Sequence, residues 1–223
     1  VPFVTVMAAK RLARLPKPYG STLIGAKGMM HRWLHAGRLA VLAITVACAP
    51  LAAQQTTPPT PDRPAGTVRP PDVASPEALV TALYDVISGP AAQPRDWDRF
   101  RSLFLPDAGL AFNLAISPSE TRLFNLTVDE FIRLAGPGYQ SGAGFWEREI
   151  GRRIDRFGTI AHVFTTYETR LTSPNPNSPV AERGINSVQT IQHEGRWWIA
   201  NLVFDSETPG NPIPPEYVNS QDE

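Results

Sequence analysis

Glu147, Glu149, Arg153, His162 and Glu168 fall in one stretch of the chain. An imidazole near neutrality can take a proton while a carboxylate orients it, and paired ionisable groups in a pocket acquire shifted pKa values. The concrete enzyme reading is His162 as base, with Glu149 or Glu168 orienting it. The same groups also make an ordinary solvated or dimer-facing surface knitted by arginine–carboxylate pairs. His162 with Glu149 or Glu168 offers too few imidazoles for a zinc site. Ser88 and Ser187 lack the histidine–acid context of a hydrolase triad. Trp97, Phe112, Phe131, Trp146, Tyr167 and Trp198 are candidates to line an apolar ligand pocket; as plain core residues they would look the same in sequence.

Composition narrows the chemistry. Residues 1–61 carry seven basic side chains and no acid, whereas from Gln54 onward 14 arginines face 21 acids, a net −7. That portion has no Cys, Met or Lys. It therefore excludes a cysteine nucleophile, a disulfide, a thiolate metal site, a Schiff-base lysine and a phosphate-loop lysine. An acidic domain is also a poor partner for nucleic acid, and no cofactor is implied. The glycine-rich Gly136–Gly144 follows a helix and precedes a strand, with the wrong glycine spacing for a dinucleotide loop.

The elements that must hold these residues begin after a leader. Residues 29–53 read as a secretory signal peptide: Met29–Arg38 is charged, Leu39–Ala47 is apolar, and small residues follow up to Ala53. The apolar run is shorter than the ~20 residues a membrane span needs. Cleavage after Ala53 makes the product periplasmic or extracellular. A loose lipobox ending at Cys48 offers lipid anchoring as the other route, and the only route to a membrane. Residues 1–28 are expected to be an over-extended gene start. Residues 54–73 form a proline-rich linker, 74–207 one domain, and 208–223 a flexible tail.

Within the domain, Ser75-Pro76-Glu77 starts a helix that Gly89-Pro90 stops, and Asp96 caps a second carrying Trp97, Phe100, Leu103 and Phe104. Leu110–Ile116 reads as a strand. Thr127 caps a third helix, Val128–Ala135, closed by Gly136-Pro137-Gly138. Two antiparallel hairpins follow, turning at Phe157-Gly158 and at His193–Arg196. Strict alternation in the first hairpin puts Trp146, Ile150, Ile154, Ala161, Val163 and Tyr167 on one face. Glu147, Glu149, Arg153, His162, Thr166 and Glu168 then lie on the other. The second hairpin reads as apolar on both faces, which calls for cover on both and hence for a second copy of the chain.

Asp96-Trp97-Asp98-Arg99-Phe100 with Leu103–Ala108 resembles the second helix and first-strand entry of the nuclear transport factor 2-like superfamily. Phe157–Val163 resembles its central hairpin, and Gly195–Ile199 its last-strand entry. The resemblance spans about residues 75–205 and implies an α+β fold, a curved and mainly antiparallel sheet wrapped as a cone around two to three helices. Its members include isomerases, dehydratases, epoxide hydrolases, cyclases and non-catalytic binding modules, so fold alone does not choose an activity. The first-strand base of isomerase-like members would fall at Phe112 or Asn113, neither of which can serve. For the histidines of dehydratase-like members only His162 and His193 are available, and His193 sits in a turn. The reading that follows is an exported module, non-catalytic, that binds a small apolar molecule or a partner protein and forms a homodimer through the sheet. The alternative is a cofactor-independent lyase, isomerase or hydrolase with His162 as base.

Overall fold

The computed structural model describes residues 68–117 and 120–218. The expected leader, Cys48 and most of the proline-rich linker lie outside them. Packing begins at Val68, earlier than expected, because Pro70–Val73 folds into a 3-10 turn that buries Val73 and pairs Asp72 with Arg99.

Helix α1 spans Pro76–Ile87 and α2 spans Trp97–Ser102. Both start as the sequence predicts: the Ser75 hydroxyl accepts from the Ala78 N–H at 3.1 Å, and Asp96 accepts from the Arg99 N–H at 2.9 Å. Helix α3 spans Val128–Tyr139, opened by a capping box between Thr127 and Glu130. It runs through the Gly-Pro-Gly expected to end it. Extending the last turn buries Tyr139, whose ring stands 4.6 Å from that of Phe145. The glycine-rich connection is correspondingly shorter than the sequence suggested.

The strands are β1 (Gly89–Pro90), β2 (Phe104–Ser117), β3 (Glu120–Thr127), β4 (Gly144–Phe157), β5 (Ile160–Arg170), β6 (Glu182–His193) and β7 (Arg196–Ser206). They form one sheet in the order β1-β4-β5-β6-β7-β2-β3. Only β2 and β7 run parallel; the other neighbours are antiparallel. Both expected hairpins are present. Their turns use Gly158, and Glu194-Gly195 with φ of 49° and 77°, the left-handed pair a tight hairpin requires. The helices pack inside the curved sheet. Leu79, Val80, Phe100, Leu103, Phe104, Leu110, Val163, Val188 and Ile199 form the centre of one core.

Two β-bulges decide which side chains face that interior. In β4 the register shifts between Glu149 and Gly151, leaving Ile150 as the extra residue. An inserted residue reverses the alternation on one side of it. Ile154 opposite Val163 faces inward as expected. Beyond the bulge, Phe145, Glu147 and Glu149 face inward and Trp146 outward, the reverse of the strict alternation. In β7, Ala200 is the extra residue opposite the Gln189–Thr190 step. Trp197, Ile199, Leu202 and Phe204 consequently share the inner face, and Trp198 and Val203 the outer one.

Candidate active and ligand site: the interior of the cone

One end of the cone is held by a single buried arginine. The Arg95 guanidinium donates to the carbonyls of Ile87 at 2.6 Å, Gly89 at 2.5 Å, Pro90 at 3.1 Å, Gln93 at 2.7 Å and Tyr139 at 3.1 Å. Helix carbonyls without intrahelical partners are thereby satisfied at the ends of α1 and α3 together. This fixes Ile87 and Tyr139 at the wall of an interior cavity.

That cavity measures about 50 Å³ and is walled by residues from all three helices and from β2, β4, β5, β6 and β7. Most of the wall is apolar, including Leu83, Phe100, Leu110, Phe131, Phe145 and Leu202. Glu147, Tyr167, Thr169, Glu182 and Asn186 supply its polar groups. Glu147 reaches it because of the β4 bulge. The residue is half-buried, and its carboxyl is desolvated. It accepts one hydrogen bond, from the Thr169 hydroxyl at 3.0 Å. Desolvation, with the nearby Glu182 carboxyl adding to it, pushes its pKa up to about 8 against the weaker opposing pull of Thr169. Glu147 is therefore mostly protonated at neutral pH.

Glu182 accepts from the Tyr167 hydroxyl at 3.4 Å and from the Ser206 hydroxyl. Burial pushes the Tyr84, Tyr139 and Tyr167 phenols well above their usual range, and Glu147 adds to the effect on each. All three are neutral hydrogen-bonding groups across the accessible pH range. Tyr84 is committed to Thr165 at 3.0 Å and receives the Asn186 amide at 3.1 Å.

The expected acid–base trio is not brought together. Alternation along β5 sends His162 to the outer face, where its Nε2 lies 2.8 Å from the Ser187 hydroxyl and its ring beside Phe164. Glu149 faces the interior instead, accepting from Thr165 at 2.5 Å and from Arg152 Nε at 2.8 Å. Glu168 shares the outer face with His162 but stands six residues along the strand, roughly 20 Å away. There it is buried between Arg148 and Arg170, while Arg170 also donates to the Ser178 carbonyl at 3.0 Å. These two acids are ion-pair partners, the bland alternative named from sequence.

Of the six aromatic candidates, Phe131 and Tyr167 line the cavity. Phe112 stands behind it, stacked on Phe204 at 4.6 Å, and Trp97 packs behind Tyr139 at 5.8 Å. Trp146 and Trp198 are on the outer face, Trp198 covered by the Arg196 guanidinium at 3.6 Å. The residues missed are Glu147 as an interior group, Glu182, Tyr139, Phe145, Thr169, Asn186 and Phe204. The signal that could have found Glu147 is Gly151, a bulge-compatible residue inside an otherwise alternating strand.

No family model matches the chain, and no curated protein matches it. Among solved structures it is similar to a nuclear transport factor 2-like protein of unknown function from Silicibacter pomeroyi, at 15% identity over 59% of this chain and 92% of that one, TM-score 0.42. A candidate scytalone dehydratase from Novosphingobium aromaticivorans aligns at 16% identity over 66% of this chain and 91% of that one, TM-score 0.43. A candidate ketosteroid isomerase from Parabacteroides distasonis aligns at 14% identity over 60% and 89%, TM-score 0.41. Likeness at these identities says nothing about activity. By its own strand order and helix placement the domain is an α+β cone that resembles the nuclear transport factor 2-like proteins.

Proposed function

We propose that the domain is a binding module whose cone takes up a small, mostly apolar molecule carrying one polar group. The observation that carries this reading is a neutral carboxyl, Glu147, set in a wall otherwise made largely of rings and aliphatic side chains. A concave apolar site with few polar groups is the usual form of a small-molecule pocket. A broad panel of small amphiphilic compounds tests it by thermal shift on the full chain. At about 100 times its dissociation constant, a hit should add about 2.7 kcal/mol of stability. It should also perturb the amide signals of Tyr139, Tyr167 and Thr169. Hits that perturb only the outer sheet face, or a panel without hits, would count against the reading.

A second reading is favoured by the same carboxyl. A group titrating near 8 can give or take a proton at physiological pH, so a lyase, isomerase or hydrolase acting in this cone would use Glu147. His162 lies on the other face of the sheet. Turnover of a hit, with a pH profile bending near 8 and abolished by Glu147→Gln, would favour this reading over binding alone.

Self-association through the outer face belongs to the proposal as well. Ile160, Ile191 and Trp198 are directly paired across β5, β6 and β7 on that face, with Ile160 52% and Val203 42% exposed. The Thr208–Tyr217 segment covers only part of it, where Thr166 donates to the Tyr217 carbonyl at 2.7 Å and Phe164 meets the Tyr217 ring. Light scattering is expected to give a dimer at micromolar concentration that Val203→Asp dissociates; a stable wild-type monomer would contradict this. Trp197, also on β7, is instead buried in the core, with Arg156 over its ring at 5.2 Å. A charge at Trp197 should unfold the domain rather than split a dimer.

A further inference from the structure

Among the described residues, the wall of the cone cavity contains two carboxyl groups and no Lys, Arg or His side chain. Around Glu147 and Glu182 stand the rings of Phe100, Phe131, Tyr139, Phe145, Tyr167 and Phe204. Ring faces carry negative quadrupole potential and attract cations, more strongly when water is excluded. Carboxyl oxygens add potential of the same sign. The geometry points to a small organic cation, an alkylated ammonium, as the ligand of this cavity. The inference rests on the cone being a ligand site and names the chemistry of what enters it.

Hydration, the absence of metal-ligating geometry among the described residues, and size select an alkylated ammonium over other cations. A bare ammonium or metal ion would lose hydration that a wall of rings does not replace. Among the described residues no three His, Cys, Asp or Glu side chains converge to ligate a metal. Alkyl groups on nitrogen weaken its hydration and offer apolar surface to the rings and to Leu83 and Leu110. Size points the same way. At ~10–15 Å³ per water-sized site, a cavity of about 50 Å³ holds a compact head group and excludes a fused-ring skeleton.

Entry of a cation has a consequence that a neutral ligand lacks. Glu147 is mostly protonated at pH 7 in the free protein, and a positive charge beside it favours the ionised form. Binding should therefore release a proton. The other titratable groups facing Glu147 are Glu182 from β6, Tyr84 from α1, Tyr139 from α3 and Tyr167 from β5. The three phenols are protonated throughout the experiment's pH range.

The test is isothermal titration of the full chain at pH 7 with choline and with 3,3-dimethylbutan-1-ol, its neutral carbon isostere. Running each in two buffers of different ionisation enthalpy counts the protons exchanged. Choline is expected to bind at least about tenfold more tightly than the isostere and to release most of one proton. Glu147→Gln should abolish the release and shrink the preference. The isostere binding as well as choline would overturn this inference while leaving the cone a ligand site. Choline binding without proton release would overturn it too. Failure of both compounds overturns it as well, and the wider panel described above then shows whether the binding reading falls with it. The comparison on the unmodified protein stands even if the variant folds poorly.

Discussion

Replacing Glu147 by glutamine should stabilise the protein by about 4 kcal/mol more at pH 8.5 than at pH 5. The sign follows from proton linkage. The folded-state pKa of Glu147 is about 8, whereas an unfolded glutamate titrates near ~4.3. Below the lower value both states hold the proton and the pKa difference has no effect. Between the two, the folded state holds the proton and the unfolded state has lost it, so stability falls as pH rises, by up to ~1.4 kcal/mol per pH unit. Above about 8 both states are ionised and the penalty is complete: a buried carboxylate facing Glu182. Glutamine keeps an oxygen for the Thr169 hydroxyl and carries no charge at any pH. Subtracting the variant's stability profile from that of the wild type cancels contributions from other titrating groups. Urea melts at half-unit intervals from pH 5 to 8.5 would measure the difference, and a flat difference profile would contradict the burial of this carboxyl.

Gly184→Ala should cost about 3 kcal/mol, on the scale of severe overpacking. Gly184 pairs directly with Tyr167 across β5 and β6. A methyl group added there would lie far inside van der Waals contact of the Tyr167 hydroxyl and of the Asp205 backbone carbonyl. The tyrosine tip can move, but the carbonyl belongs to the β6–β7 ladder and cannot move without breaking pairs. Glycine at this position therefore allows the Tyr167 phenol to lie across β6 and reach Glu182. At ~2–4 °C per kcal/mol for a domain of this size, the melting temperature should fall by roughly 6–12 °C. Removing the hydroxyl as well, in a Tyr167→Phe background, should recover only part of the loss because the carbonyl clash remains. A change under about 2 °C would show that the strand can relax and that this close approach does not constrain the site.

Much of the scaffold was legible because it depends on local chemistry. Ser75 and Asp96 are capping residues whose hydrogen bonds form as their types predict, and Gly158 and Gly195 mark the two hairpin turns. The site was less legible because it depends on parity. Period-two alternation assigns Glu147 correctly only if β4 is uninterrupted. One extra residue at Ile150 moves Phe145, Glu147 and Glu149 inward and Trp146 outward. Ala200 does the same to the tryptophan pair in β7. Helix α3 continues through Pro137 because the burial of Tyr139 outweighs the lost backbone bond, a tertiary effect that local propensity does not contain. Strand β3 gave little warning, since Thr121 to Thr127 alternates only loosely and Leu123 remains exposed. His162, by contrast, sits on an unbulged strand, and the alternation that sends it outward was readable from Ala161 and Val163.

A carboxyl on β4 that stands protonated inside the cone at neutral pH has a distinct spectroscopic signature. Carbon-13 NMR of the glutamate side-chain carboxyls, with Glu147 assigned by its loss in Glu147→Gln, reads this directly during a pH titration. That one signal is expected to show a midpoint near 8, moving lower when a cationic ligand is bound. A midpoint near ~4.3, the value of a solvated glutamate, would place Glu147 in water and contradict the interior site.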